Sequence, residues 1–135
     1  MPLLVDAGIL YALVDRSDAW HRPAVDYLKR FRPTLLAPVT VVPEAAYLVQ
    51  TRLGSRQELA FIKSFIDGEI AVEPLRDADI SRAAAVMAKY PDLGFTDCTL
   101  VAAAERLALT TIATTDRRHF GLVRPRHTDS FTLVP

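Results

Sequence analysis

Three observations predict an α/β fold with a mostly parallel central sheet flanked by helices. Short β-favouring runs alternate with helical patterns of roughly ten to fifteen residues, the rhythm of βαβ units. Half of the 135 residues are apolar, which suits one buried core and a single domain over residues 1–135. Acidic residues recur where apolar runs give way to the next element, and in an open α/β sheet those strand ends share one crevice.

Residues 3–5 form the first strand, and residues 7–14 follow as a helix that starts directly after Asp6. Trp20, Ala24, Tyr27, Leu28 and Phe31 share one face of a second helix, with Asp18 as its N-cap and an end near Arg32-Pro33. Residues 35–37 make a short strand. Pro43 then occupies the first turn of a helix, with Glu44 following it. Ser55 is read as the cap of a helix over 56–66, with Glu58 as capping-box partner and Leu59, Ile62 and Ile66 on one stripe.

Asp67-Gly68 stops that helix, and residues 70–72 read as a strand. The helix over about 76–89 presents Ile80, Ala83, Ala84, Met87 and Ala88 as its apolar face. After the loop at 90–94, Thr96 caps a helix with Asp97 at its opening and Leu100, Val101, Ala104, Leu107 and Ala108 facing inward. Residues 110–113 form a strand ended by Asp116. The tail turns at Arg124-Pro125-Arg126 and closes on a strand near 131–134.

Sixteen basic and sixteen acidic residues cancel, so any polyanion must be held by local clusters of Arg and Lys. Cys98 is the only cysteine, which excludes an internal disulfide and a cysteine-rich zinc site and fits a reducing cytosol. The isolated His21, His119 and His127 argue against a histidine zinc site and read as structural or surface residues. The start of the chain has no basic n-region. The longest nearly uncharged stretch, 34–47, is broken by Pro38, Pro43 and Glu44 and falls short of the roughly 20 residues a membrane helix needs. A soluble, cytoplasmic protein is the expectation.

Asp6, Glu44, Asp97 and Asp116 are the candidate functional residues. Each alone is explained as a helix cap or a first-turn acid favoured by the dipole. Together they would bring four like charges to one sheet edge, which capping does not require. A hard cation such as Mg²⁺ or Mn²⁺ would compensate them, and such ions take oxygen ligands. Hydrolysis of a phosphate ester is the chemistry this arrangement permits. Arg117 and Arg118 follow Asp116 directly, within reach of phosphates, with Arg52 and Arg56 and a cluster of Arg16, His21 and Arg22 as weaker basic groups.

Leu4-Val5-Asp6-Ala7-Gly8-Ile9-Leu10, Pro43-Glu44, Phe95-Thr96-Asp97-Cys98-Thr99-Leu100-Val101-Ala102 and Ala113-Thr114-Thr115-Asp116-Arg117-Arg118-His119-Phe120 resemble the motifs of the PIN domain. Length and the Thr-Asp-Arg-Arg-His-Phe ending resemble the VapC toxins of VapBC toxin–antitoxin pairs. The resemblance implies a PIN-like fold and a Mg²⁺- or Mn²⁺-dependent endoribonuclease whose metals are held by Asp6, Glu44, Asp97 and Asp116. It implies cleavage of tRNA or ribosomal RNA to 5′-phosphate and 3′-hydroxyl ends, a homodimer, and inhibition by a VapB-like antitoxin. The family often carries Ser, Thr or Asn just after the first Asp, where this chain has Ala7 and Gly8. Thr114 or Thr115 is expected to supply the missing hydroxyl beside Asp116.

Three rival functions compete. A receiver domain would place paired acids after its first strand and a lysine after a later one, and this chain does neither. A PIN-like scaffold that binds RNA or a partner without cutting is disfavoured because all four acids are present. A phosphatase acting on small phosphate esters is permitted by the carboxylates alone.

Overall fold

A computed structural model describes residues 2–135. β1 (Pro2–Val5) leads into α1 (Ala7–Val14), then α2 (His21–Phe31) and β2 (Thr34–Pro38). α3 (Val41–Leu53) and α4 (Ser55–Ile66) form a hairpin before β3 (Ile70–Glu73). α5 (Asp77–Lys89) and α6 (Phe95–Leu107) precede β4 (Thr111–Ala113), α7 (Arg117–Leu122) and β5 (Thr132–Val134). The sheet runs in the order β3-β2-β1-β4-β5 with every neighbouring pair parallel. The α/β expectation therefore holds, and β1 is the central strand where the winding reverses. No helix among the described residues is long and apolar enough to cross a membrane.

The core explains why the strand runs lack polar alternation: Leu4, Val5, Ala37 and Ile112 are completely buried, as befits a sheet covered on both faces. α6 is buried over most of its circumference, with Cys98, Leu100, Val101 and Ala104 inaccessible and Ala102 and Ala103 nearly so. Its small side chains let the helix lie close against its neighbours. Cys98 is thus a packing residue, and burial followed by the charge of Asp97 pushes its thiol up to about 11, keeping it protonated.

Several local expectations are corrected. Asp18 does not cap α2 directly; its Oδ1 accepts from Trp20 N at 2.8 Å, an Asx turn one step before the helix begins. Gly54, at φ 96°, stands at the start of α4 in place of Ser55, because this tight junction between α3 and α4 needs a left-handed backbone. Gly94, not Thr96, precedes α6. Phe31, Leu59 and Ile66 are exposed, while α4 buries Phe61. Ala108 is an exposed left-handed C-cap.

The inward face of α5 also differs from the apolar reading. Ile80 and Met87 are 45% and 37% exposed, whereas Asp79, Ala83 and Val86 are buried. The reason is ionic. Arg106 of α6 donates to both oxygens of Asp79 at 3.0 Å and to Glu73 at 2.8 Å, and Arg82 grips Glu105 at 2.6 and 3.0 Å. Counting only apolar residues hides a face that is docked by paired charges.

Candidate active site

β1 carries the first acid out of the sheet. Asp6 N donates to Ala113 O at 3.1 Å, the last link between β1 and β4, and its side chain then caps α1 by accepting from Ile9 N at 2.9 Å. The other carboxylate oxygen accepts the hydroxyl of Thr114. Asp6 is only 7% exposed, and that burial raises its pKa to about 6. The bonds from Thr114 and Ile9 oppose the shift, while the charges of Asp116 and Glu44 add to it.

Thr114 is fully buried, and its oxygen also accepts from Asp116 N at 2.8 Å, so one hydroxyl joins two acids. Asp116 does not end β4 directly. Thr114 and Thr115 intervene, and Asp116 caps α7, a short helix the sequence pattern did not announce. Its Oδ1 accepts from His119 N at 3.0 Å and its Oδ2 from His119 Nδ1 at 2.7 Å. His119 is therefore not an isolated surface residue. The signal was its place three residues after a helix-capping Asp, where the first turn folds it back. His21 and His127 do bond backbone carbonyls, of Ala12 and Leu109 respectively, at 2.7 Å.

Glu44 and Asp97 sit on the first turns of α3 and α6. Asp97 does not follow a strand; α6 runs back toward the start of β4, so its N-terminus arrives at the edge where β1 and β4 end. Thr99 donates its hydroxyl to Thr96 O at 2.6 Å, leaving its oxygen to accept from Thr40 at 2.6 Å. That bond ties the start of α3 to the first turn of α6 and fixes the helices that carry Glu44 and Asp97.

The Asp97 carboxyl is pushed up to about 6, first by burial, then by the charges of Asp6, Glu44 and Asp116, with His119 opposing. Four acids distant in sequence therefore share one electrostatic neighbourhood. They form a gradient from buried Asp6 through half-buried Asp97 and Asp116 to exposed Glu44. Among the described residues, no three such side chains are drawn together tightly enough to be a ready-made metal cage. A cavity of about 510 Å³ lies elsewhere, lined by Asp15, Arg16, His21 and Gln57 near the far ends of α1 and α3, and includes none of the four.

Thr115 sits apart from the Thr114 bridge and packs over Gly8. A Cβ at position 8 would lie 2.5 Å from Thr115 Oγ1 and 3.6 Å from Asp6 Oδ1. The hydroxyl of Thr115 thus fills the space a side chain after Asp6-Ala7 would take. Of the basic candidates, Arg117 lies over the ring of Trp20 at 5.6 Å, Arg118 is exposed, and Arg22 pairs with Asp26 on the surface of α2. Arg52 covers Tyr11 at 4.9 Å. Asp92 is exposed and is not among the charges acting on Asp97.

The PIN-domain family model matches residues 3–124. Ribonuclease VapC26 of Mycobacterium tuberculosis is 33% identical over 135 residues, covering 98% of this chain and 100% of the relative. The fold is similar to the crystal structure of the same organism's VapC20, described as a sarcin-ricin loop cleaving toxin. That match has a TM-score of 0.80 at 19% identity over 87% of this chain and 92% of that one. VapBC2 from Rickettsia felis, solved with a DNA fragment from its promoter, matches with a TM-score of 0.70 at 13% identity over 98% of this chain and 97% of that one. The family match over residues 3–124, the relative 33% identical over nearly the whole chain and the parallel five-stranded sheet mean that the chain belongs to the PIN-domain family and, within it, to the VapC toxins.

Proposed function

We propose that the chain is a Mg²⁺- or Mn²⁺-dependent endoribonuclease, the toxin of a toxin–antitoxin pair, which acts in the cytoplasm on a structured tRNA or ribosomal RNA. The observation that carries this reading is that Glu44 and Asp116 lie close enough to act by charge on Asp6, and all three on Asp97, two acids already destabilised by burial. The donors are all carboxylate oxygens, and burial together with the charges of their neighbours raises the proton affinity of Asp6 and Asp97, so the set suits a hard divalent cation. Asp6, Glu44, Asp97 and Asp116 would hold it, with the exposed Glu44 drawing in from the rim. When bound, one or two such ions supply charge neutralisation at the phosphodiester and an acidified water as nucleophile.

The remaining residues prepare that site. Asp6 is held by Ile9 N–H and by Thr114, so its oxygens are fixed before substrate arrives. His119 positions Asp116 by donating to the same carboxylate from both ring and backbone. Arg117 and Arg118, both exposed and next to Asp116 in the chain, would offset the repulsion a phosphate meets at the acids. A VapB-like antitoxin would silence the crevice by covering it, and a homodimer is the assembly this reading carries.

The test is direct. Purified protein is given a structured RNA and, separately, a small phosphate ester, with Mn²⁺ or Mg²⁺ and then with EDTA. RNA cut only with the metal, and not by Asp6→Asn, supports the reading. Intact RNA, equal cutting by the Asn variant, or hydrolysis of the ester alone overturns it.

A further inference from the structure

The geometry points to Trp20 as a stacking platform for an unpaired nucleobase next to the scissile phosphate, with Arg117 as the partner that grips the adjoining phosphate; this rests on the RNA reading above. Trp20 is the only tryptophan, and it stands at the α1–α2 junction, far in sequence from the acids. The tertiary structure nevertheless puts its ring 5.6 Å from the guanidinium of Arg117, the residue directly after Asp116.

Two features make this a built position. The backbone of Trp20 is pinned on both sides: its N–H donates to Asp18 Oδ1 at 2.8 Å, and its carbonyl accepts from Ala24 N at 3.0 Å. Arg52 over Tyr11 and Lys89 over Tyr90 show that cations meet other rings of the chain too, but the cation on Trp20 is the residue that directly follows Asp116. Arg117 is exposed and Trp20 half-buried, and a cation–π contact with a solvated cation is weak enough to be exchanged. A phosphate that recruits Arg117 would free the indole face for the neighbouring base, and single-stranded RNA is recognised by such stacking together with basic contacts. The acidic crevice makes this pairing necessary, since a polyanion needs both a cation and an uncharged contact to stay beside four carboxylates.

The single tryptophan is its own reporter. Asp97→Asn protein, silenced for cutting and supplied with Mg²⁺, is titrated with a dye-labelled single-stranded RNA decamer of mixed sequence, reading dye anisotropy and tryptophan emission together. Coincident saturation of both signals is expected. Trp20→Leu should weaken binding by about 5- to 100-fold, with Trp20→Phe recovering most of it, and Arg117→Ala should lower the salt dependence by about one phosphate contact. If the dye reports binding while Trp20 emission and the Trp20→Leu affinity are unchanged, the platform is refuted and the RNA reading stands. If the dye reports no binding, the RNA reading falls and takes the platform with it. A Trp20→Leu chain that binds RNA normally but loses a co-expressed antitoxin places the indole in a protein interface and overturns the inference.

Discussion

Thr114 donates its hydroxyl to Asp6 across 108 positions of sequence while accepting from Asp116 N at 2.8 Å. Two acids that cap different helices, α1 and α7, are thereby registered to each other by one buried oxygen. Replacing Thr114 with Val keeps the shape but leaves the Asp6 oxygen and the Asp116 N–H without their partner. The expected cost is about 1–3 kcal/mol in chemical denaturation and about 10- to 100-fold in cleavage rate, with Thr114→Ser close to the parent. An unchanged rate in the Val variant would remove Thr114 from the site.

Proton linkage gives a second prediction. The folded-state pKa of Asp6 is raised from 3.8 to about 6 by burial, so its stabilising contribution is full below 3.8 and is lost as pH rises through 6. Across that window the loss is on the order of 3 kcal/mol, and between pH 5 and 7.5 about 1 kcal/mol. Asp97 titrates in the same direction over the same range. Denaturation in EDTA should therefore show greater stability at pH 5 than at pH 7.5, a difference that shrinks in Asp6→Asn and under saturating Mg²⁺. A slope of the opposite sign would contradict the burial of Asp6.

Gly8 and Thr115 form a coupled pair. A methyl at position 8 meets Thr115 Oγ1 at 2.5 Å, so Gly8→Ala must displace that hydroxyl. In a Thr115→Ala background the same change relieves helix-interior glycine and should stabilise by about 0.5–1 kcal/mol, whereas alone it should gain nothing or destabilise. Additive melting shifts in the double-mutant cycle would show that the two positions do not touch.

Arg106 holds Asp79 and Glu73, and the Asp79 side chain is 4% exposed. Arg106→Met should cost roughly 2–3 kcal/mol, less than a fully buried pair because the Arg106 side chain keeps 21% of its surface. Eight residues of α6 separate it from Asp97, so the rate per folded molecule should hold at low temperature. A rate that falls without loss of stability would place this network in the active site.

Much of the architecture was legible because its causes are local. The strands at 3–5 and 35–37 and the helix starting after Asp6 follow from β-propensity and capping. The face of α5 was misread because an ion pair buries charge where periodicity expects hydrocarbon. α7 was missed because six residues carry too little periodic signal.

By itself the sequence determined the parallel α/β plan and offered the four acids as candidates, since the order of short buried runs and helices dictates which chain ends reach the same sheet edge. Only tertiary structure decided which hydroxyl serves which acid, that His119 faces Asp116, and that Trp20 lies under Arg117. Those relationships depend on contacts between residues far apart in the chain or on the direction of a single turn, and side-chain direction across such distances is set by packing rather than by residue type.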